Sequence, residues 1–184
     1  MFKRNKNDKV TVLSDVMKKQ QRYESLVRAL HTDIYRYAYW LIGNKAIAED
    51  VVQETFLRAW RSLDSLKDEK AAKSWLITIL RRENARRFER KQFDLVDIDD
   101  VHVEDHSASL EASHTNDEVR KHISKLDEEY RDPLMLQVIF GFTGEEIAEQ
   151  LSLNKNTVNT RLFRARSQLK ESLEQPVLRG QANG

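Results

Sequence analysis

Between Gln92 and Asp117 the chain carries eight acidic residues and no lysine or arginine. This stretch limits the possible architectures more than any other feature. Charge of one sign repels itself and keeps a segment extended and solvated. The stretch has no helical period and is rich in Ser, His and Asp, so it reads as a flexible linker. What lies either side differs in charge. Residues 1–91 hold 21 Lys and Arg against 12 Asp and Glu, and residues 118–184 hold ten of each, so the net +1 conceals a basic half, an acidic join and a neutral half. The linker's plain role is spacing, and a sharper one is competition with a polyanion for the basic surface. His102-Val-Glu-Asp-His106 matches neither helical zinc pattern and reads as solvated linker histidines.

Two prolines and five glycines in 184 residues are too few for a sandwich or barrel, which needs frequent turns. With 33% charged residues and abundant Ala, Leu, Glu, Arg and Lys, the chain is expected to be all-α. The absence of cysteine excludes disulfides, a thiolate nucleophile and a cysteine-ligated metal. There is no glycine-rich phosphate loop, no nucleophile beside a base and no metal constellation, so neither an enzyme nor a bound cofactor or metal is expected. No apolar run is long enough to span a bilayer, and residues 1–21 are charged without an apolar signal core, so a cytoplasmic chain is expected.

In the basic half, Tyr23, Leu26, Val27, Leu30, Ile34, Tyr37, Ala38 and Leu41 recur at helical spacing, and Gly43-Asn44 ends that helix. Ala46 to Leu63 carries two stripes. Ala48, Val52, Thr55, Phe56 and Ala59 form a core side, while Asp50, Gln53, Glu54, Leu57, Arg58 and Arg61 form a polar side with a leucine at its centre. A leucine inside a polar stripe fits a partner surface as well as a solvated face. Leu66 to Lys73 is a polar loop, Ser74 is the expected cap, and Trp75 to Lys91 is a helix with Leu76, Ile79, Leu80 and Phe88 as apolar contacts. Its cations Arg81, Arg82, Arg86, Arg87, Arg90 and Lys91 repel one another, so phosphate contact or an acidic partner would make them useful.

In the neutral half, Leu126 to Tyr130 opens a short helix, and Asp132-Pro133 is expected to restart another that ends at Gly141. Thr143 and Glu146 form a capping box for a short helix, Gly144 to Leu151. Ser152-Leu153 turns the chain, and Asn154 caps a helix over 155–169, with Leu153 and Val158 stapled around the cap. Short helix, tight turn and long helix make a helix-turn-helix pattern. Ser152 occupies the turn position where glycine is common, which costs energy if its φ is positive. Val158, Leu162, Ala165 and Leu169 share one face of the second helix. Asn156, Thr160, Phe163, Arg164 and Ser167 lie opposite, with Thr157 and Arg161 just beyond them. Short polar groups, arginine and an exposed aromatic suit the major groove.

Four stretches together resemble the extracytoplasmic-function (ECF) group of the sigma-seventy family of transcription factors. They are Ala48-Glu-Asp-Val-Val-Gln-Glu-Thr-Phe-Leu-Arg-Ala-Trp60, Ser74-Trp-Leu-Ile-Thr-Ile-Leu-Arg-Arg-Glu-Asn-Ala-Arg-Arg87, Phe142-Thr-Gly-Glu-Glu-Ile-Ala-Glu-Gln-Leu151 and Asn156-Thr-Val-Asn-Thr-Arg-Leu-Phe-Arg-Ala-Arg-Ser-Gln-Leu169. The resemblance implies a basic tail over 1–21, a region-two domain over 22–91, the linker over 92–117, a region-four domain over 118–175 and a tail over 176–184. It implies that Asp50, Gln53, Glu54, Leu57 and Arg58 dock on core RNA polymerase, whose β and β′ subunits are the expected partners. It further implies minus-ten DNA contacts from Lys70, Lys73, Arg81, Arg82, Asn84, Arg86 and Arg87, which would hold a melted strand and a flipped base. Minus-thirty-five contacts would come from Asn156, Thr157, Asn159, Thr160, Arg161, Phe163 and Arg164. A stress-response factor restrained by an anti-sigma factor, in some cases at the inner membrane, is the corresponding biology. The sequence departs from the family in having Asp127 after Leu126, where many relatives have proline, and Asn159 where a basic residue is frequent, so the usual promoter sequence is not implied. Residues 1–21 have no clear counterpart in the family. A stand-alone helix-turn-helix regulator with an N-terminal interaction domain is the alternative, and it leaves the 50–61 stripe and the 81–91 cations unexplained.

Overall fold

The computed structural model describes the backbone of residues 6–94 and 114–174 and the side chains of residues 14–89 and 119–174. Seven α-helices and no strand occur among the described residues: α1 (Lys6–Ile42), α2 (Lys45–Ser62), α3 (Ala72–Asp94), α4 (His114–Ser124), α5 (Glu128–Phe140), α6 (Gly144–Leu151) and α7 (Lys155–Glu174). Two 3₁₀ turns, Leu63–Ser65 and Glu69–Ala71, join α2 to α3. The chain forms two compact units, one holding α1–α3 and the other α4–α7. Residues 95–113 lie outside the described part, and with them most of the acidic linker and His102 to His106.

The first unit is a three-helix packing arrangement. α1 ends where Gly43 adopts a left-handed φ of +73° and donates its amide to the Tyr39 carbonyl at 2.8 Å. One residue on, the Asn44 side chain accepts from the Ile47 amide at 3.0 Å and starts α2. The α2 stripe Ala48, Val52, Thr55, Phe56 and Ala59 is buried, with Val51 beside it. Thr55 lies wholly inside, and its hydroxyl donates to the Val51 carbonyl at 2.6 Å, which satisfies a polar group that burial would otherwise penalise. Ile34, Tyr37 and Ala38 of α1 and Leu76, Ile77 and Leu80 of α3 complete the core.

Three expectations for this unit are corrected. α1 starts at Lys6, well before Tyr23, and ahead of Tyr23 it carries the charge contacts of Lys19 and Arg22, which hydrophobic periodicity does not register. Asp68 caps the 3₁₀ turn Glu69–Ala71 that leads into α3, its carboxylate accepting from the Lys70 amide at 2.9 Å, whereas Ser74 lies inside the helix. Ile77 rather than Phe88 belongs to the core. Phe88 is 56% exposed, two turns past Leu80, the last fully buried apolar residue of α3 among the described side chains.

The second unit packs α5, α6 and α4 around α7. α4 was not expected, since Val119 and Ile123 are its sparse apolar signals in a polar run. It is tied to α7 by a contact between His122 Nδ1 and the Ser172 hydroxyl. α5 runs unbroken through Pro133, where a restart was expected. The proline removes the amide that would serve the Glu129 carbonyl, and full burial of its ring against the core offsets that loss. The Gly141 end of α5 stands as expected, with φ +72° and its amide on the Gln137 carbonyl at 2.9 Å.

Candidate functional site

The polar stripe of α2 faces outward as one surface. Asp50, Gln53 and Leu57 are exposed, Leu57 by 50%, while the opposite stripe is buried. Glu54 and Arg58 are half-buried and paired at 3.3 Å. Arg58 Nε is also 2.6 Å from Oε1 of Glu83, close as an ion pair although not aligned as a hydrogen bond. Glu83 is only 6% exposed and accepts from Arg86 at 2.6 Å as well. A buried carboxylate therefore anchors one arginine of the α2 surface and one of the α3 surface. Nothing in the sequence marks this bridge, because Arg58 and Glu83 lie 25 positions apart on different helices and no local spacing pairs them.

The second surface is the loop before α3 and the basic side of α3. Lys70, Lys73, Arg82 and Arg86 are exposed, and Arg87 is half-buried. Burial lowers the Arg87 guanidinium from its ordinary pKa, and the neighbouring Asp50 carboxylate works in the opposite direction. The Arg87 guanidinium lies 5.3 Å from the centre of the exposed Phe88 ring. Two expected members of this set are turned inward. Arg81 donates to the hydroxyl of the buried Tyr37 at 2.8 Å. Asn84 is 9% exposed, one turn after Leu80 on the side of α3 that faces the core, and its amide oxygen is buried without a hydrogen-bond partner. Solvent-facing contacts were expected of both, and here Asn84 is buried and Arg81 is half-buried against Tyr37. Phe88, expected among the apolar contacts of α3, is exposed on this surface instead.

The third surface belongs to the second unit. The capping box at Thr143 is complete: its hydroxyl accepts from the Glu146 amide and its own amide donates to the Glu146 carboxylate at 2.8 Å. α6 ends at Ser152, with φ +55° and ψ +41°, the one described non-glycine residue with positive φ. Leu153 donates its amide to the Ala148 carbonyl at 2.9 Å to close the turn. Asn154 then caps α7 by accepting from the Thr157 amide at 2.7 Å. At Gly144, an added Cβ would lie 2.9 Å from Oδ1 of Asn159, so the bare α-carbon permits the close approach of α6 to α7. Lys155 reaches Glu145 at 2.5 Å and holds that carboxyl below its ordinary range.

Along α7, Val158, Leu162 and Ala165 are buried, and Asn156, Asn159, Thr160, Phe163 and Arg164 are exposed, Phe163 by 71%. Thr157 and Arg161 are half-buried. α5 braces the arginines from behind: Glu129 pairs with Arg161 at 3.0 Å, the Tyr130 hydroxyl accepts from Arg164 at 3.4 Å, and Gln137 accepts from Arg166. A helix with amides, a hydroxyl, an aromatic ring and arginines on one exposed side is suited to base edges in a major groove. Among the described residues no group of His, Asp and Glu could hold a metal ion.

A model of sigma-70 region 2 matches residues 26–93, and a model of sigma-70 region 4 matches residues 116–169. The RNA polymerase sigma factor SigV of Bacillus subtilis is 33% identical over 81% of this chain and 92% of its own length. The ECF RNA polymerase sigma factor SigW of the same organism is 30% identical over 84% and 90%. Among solved structures, the sigma factor RpoE in complex with the anti-sigma factor NepR from Bartonella quintana superposes with a TM-score of 0.69. It is 27% identical and covers 85% of this chain and 97% of that one. CnrH in complex with the cytosolic domain of CnrY gives a TM-score of 0.59 at 25% identity, over 84% and 88%.

Proposed function

The chain belongs to the ECF group of the sigma-70 family, and from that premise we propose that it binds core RNA polymerase and directs it to promoters. The observation that carries this reading is the ordered match of a region 2 and a region 4 model to the two separate units. In it, Asp50, Gln53, Glu54, Leu57 and Arg58 form the polymerase-docking surface. A half-exposed leucine ringed by charge is the kind of anchor that gains most from being covered. Lys70, Lys73, Arg82, Arg86 and Arg87 line the minus-ten surface. Their charges neutralise phosphates, and a melted strand is held by cations with ring stacking. Arg81 and Asn84 support that surface from within. α7 enters the major groove of the minus-thirty-five element, where Asn159, Thr160, Phe163 and Arg164 meet base edges, with Asn156, Thr157 and Arg161 at their margins.

The mechanism needs no covalent chemistry from this chain. It supplies promoter choice through binding energy, and the polymerase supplies synthesis. Similarity to a sigma factor solved in complex with an anti-sigma factor supports control by an anti-sigma factor. Activity beside the polymerase places the work in the cytoplasm, and no described helix is long and apolar enough to cross a membrane. The test is transcription reconstituted from core polymerase, the purified chain and a randomised promoter library. Enrichment of paired elements at fixed spacing only when both proteins are present is the expected result. Equal transcription by core alone, or tight binding of the free chain to a symmetric operator, would overturn the proposal.

A further inference from the structure

Lys19 and Arg22 of α1 lie ahead of the stretch that the region 2 model matches, yet they fasten α1 to the loop between α2 and α3. Lys19 Nζ is 2.6 Å from the Asp64 carboxylate and 5.5 Å from the centre of the Trp60 ring. One turn on, the Arg22 guanidinium donates to the Leu66 carbonyl and pairs with Glu69 at 3.8 Å. Two residues of one helix thus hold three points of one loop: its first acid, its central carbonyl and its second 3₁₀ turn. Between these points the loop has little of its own to fix it. Leu63 and Leu66 are buried, and apart from the Lys19 and Arg22 contacts the bonds of residues 64, 65 and 67–71 are local backbone and cap bonds.

We propose that Lys19 and Arg22 are positioning residues that brace the 63–71 loop for capture of the melted minus-ten strand. The proposal rests on the reading of that loop as a DNA surface. Two physical effects support it. Holding a loop at several points removes conformational freedom that strand binding would otherwise have to remove. Pairing Asp64 and Glu69 with cations also masks two negative charges beside Lys67 and Lys70, where phosphates would approach. Both bridges are partly exposed, so their effect falls on loop geometry far more than on global stability.

The test uses the full chain carrying Lys19→Gln and Arg22→Gln together, assembled with core polymerase. The DNA probe is the single strand that the wild-type holoenzyme selects from a random pool. Amide exchange over residues 64–71 is expected to rise about tenfold, strand affinity to fall about tenfold, and core affinity to stay within about twofold. Reversing one bridge, Lys19→Asp with Asp64→Lys in the Arg22 wild-type background, is expected to restore most of what Lys19→Asp alone loses. Unchanged exchange in the double variant overturns the brace itself. Faster exchange with unchanged strand affinity overturns its role in capture, as does a reversal that restores nothing. A wild-type holoenzyme that selects no strand overturns instead the reading of the loop as a DNA surface, while the exchange measurement still decides the brace.

Discussion

Replacing Ser152 by glycine is expected to stabilise the second unit. Ser152 holds φ +55° and ψ +41° at the end of α6, a conformation that costs a residue with a Cβ about 1–2 kcal/mol. The turn does not depend on the serine side chain, which is exposed. Its closing bond is the Leu153 amide on the Ala148 carbonyl at 2.9 Å, and glycine would keep it. Against the relief stands the extra freedom of glycine in the unfolded chain, about 0.5–1 kcal/mol. The net gain is therefore centred on about 0.75 kcal/mol, within a span of about 0–1.5 kcal/mol, and the centre corresponds to roughly 3–6 °C in Tm for a unit of this size. The chain offers an internal control, because all three tryptophans, Trp40, Trp60 and Trp75, lie in the first unit. Thermal melting of the full chain should show a later circular-dichroism transition for the second unit and an unmoved tryptophan-fluorescence transition. A Ser152→Gly chain that melts at the same temperature or lower would refute the reasoning. It would mean that the strained backbone carries no penalty here.

Arg164→Ala should cost roughly 1–3 kcal/mol at the preferred minus-thirty-five sequence and relax the choice of one base, read from transcription on single-base promoter variants. Val158→Asp should instead unfold the second unit, since Val158 is fully buried and the new carboxylate would have no partner; loss of its melting transition is the check. Glu83→Gln leaves two guanidiniums without their shared anion and should cost about 1–2 kcal/mol in urea unfolding, a figure held down because Arg58 and Arg86 are 34% and 46% exposed. For Glu145, Lys155 lowers the folded pKa below 4.5, so the bridge is complete above the ordinary carboxylate range and is lost as pH falls through the depressed value. An NMR titration should place the Glu145 midpoint below 4.5 and move it upward in Lys155→Met.

The elements most legible in the sequence were those specified by local rules. Thr143 with Glu146, the Asn154 cap and the Val158, Leu162, Ala165 stripe need only neighbours a few residues away, and each is found where those rules place it. What was missed depends on partners far along the chain. Lys19 and Arg22 of α1 form contacts at Asp64, Leu66 and Glu69 that no local periodicity announces. Spacing alone could not distinguish Ile77 from Phe88, because both are apolar and the difference lies in where the core ends. The resemblance implies DNA contacts from Asn84 and Arg81, whereas the packing of α3 buries Asn84 and bonds the half-buried Arg81 to Tyr37. Pro133 was read as a helix start from its usual preference, yet burial of its ring allows α5 to continue through it.

The most direct test of the proposed role is the affinity of the chain for core RNA polymerase, measured for wild type and Leu57→Arg. Leu57 is half-exposed, so the variant should keep its Tm, a surface change being worth within about 0.5 kcal/mol. In a covered interface the same change loses apolar burial of about 1.5 kcal/mol and adds the desolvation of an unpaired charge, together about a hundredfold in affinity. Tight binding by the wild-type chain, lost about a hundredfold in a Leu57→Arg chain with unchanged melting, is the predicted result. A folded wild-type chain that does not bind core polymerase, or a Leu57→Arg chain that binds it equally well, would contradict the docking surface at the centre of the proposed function.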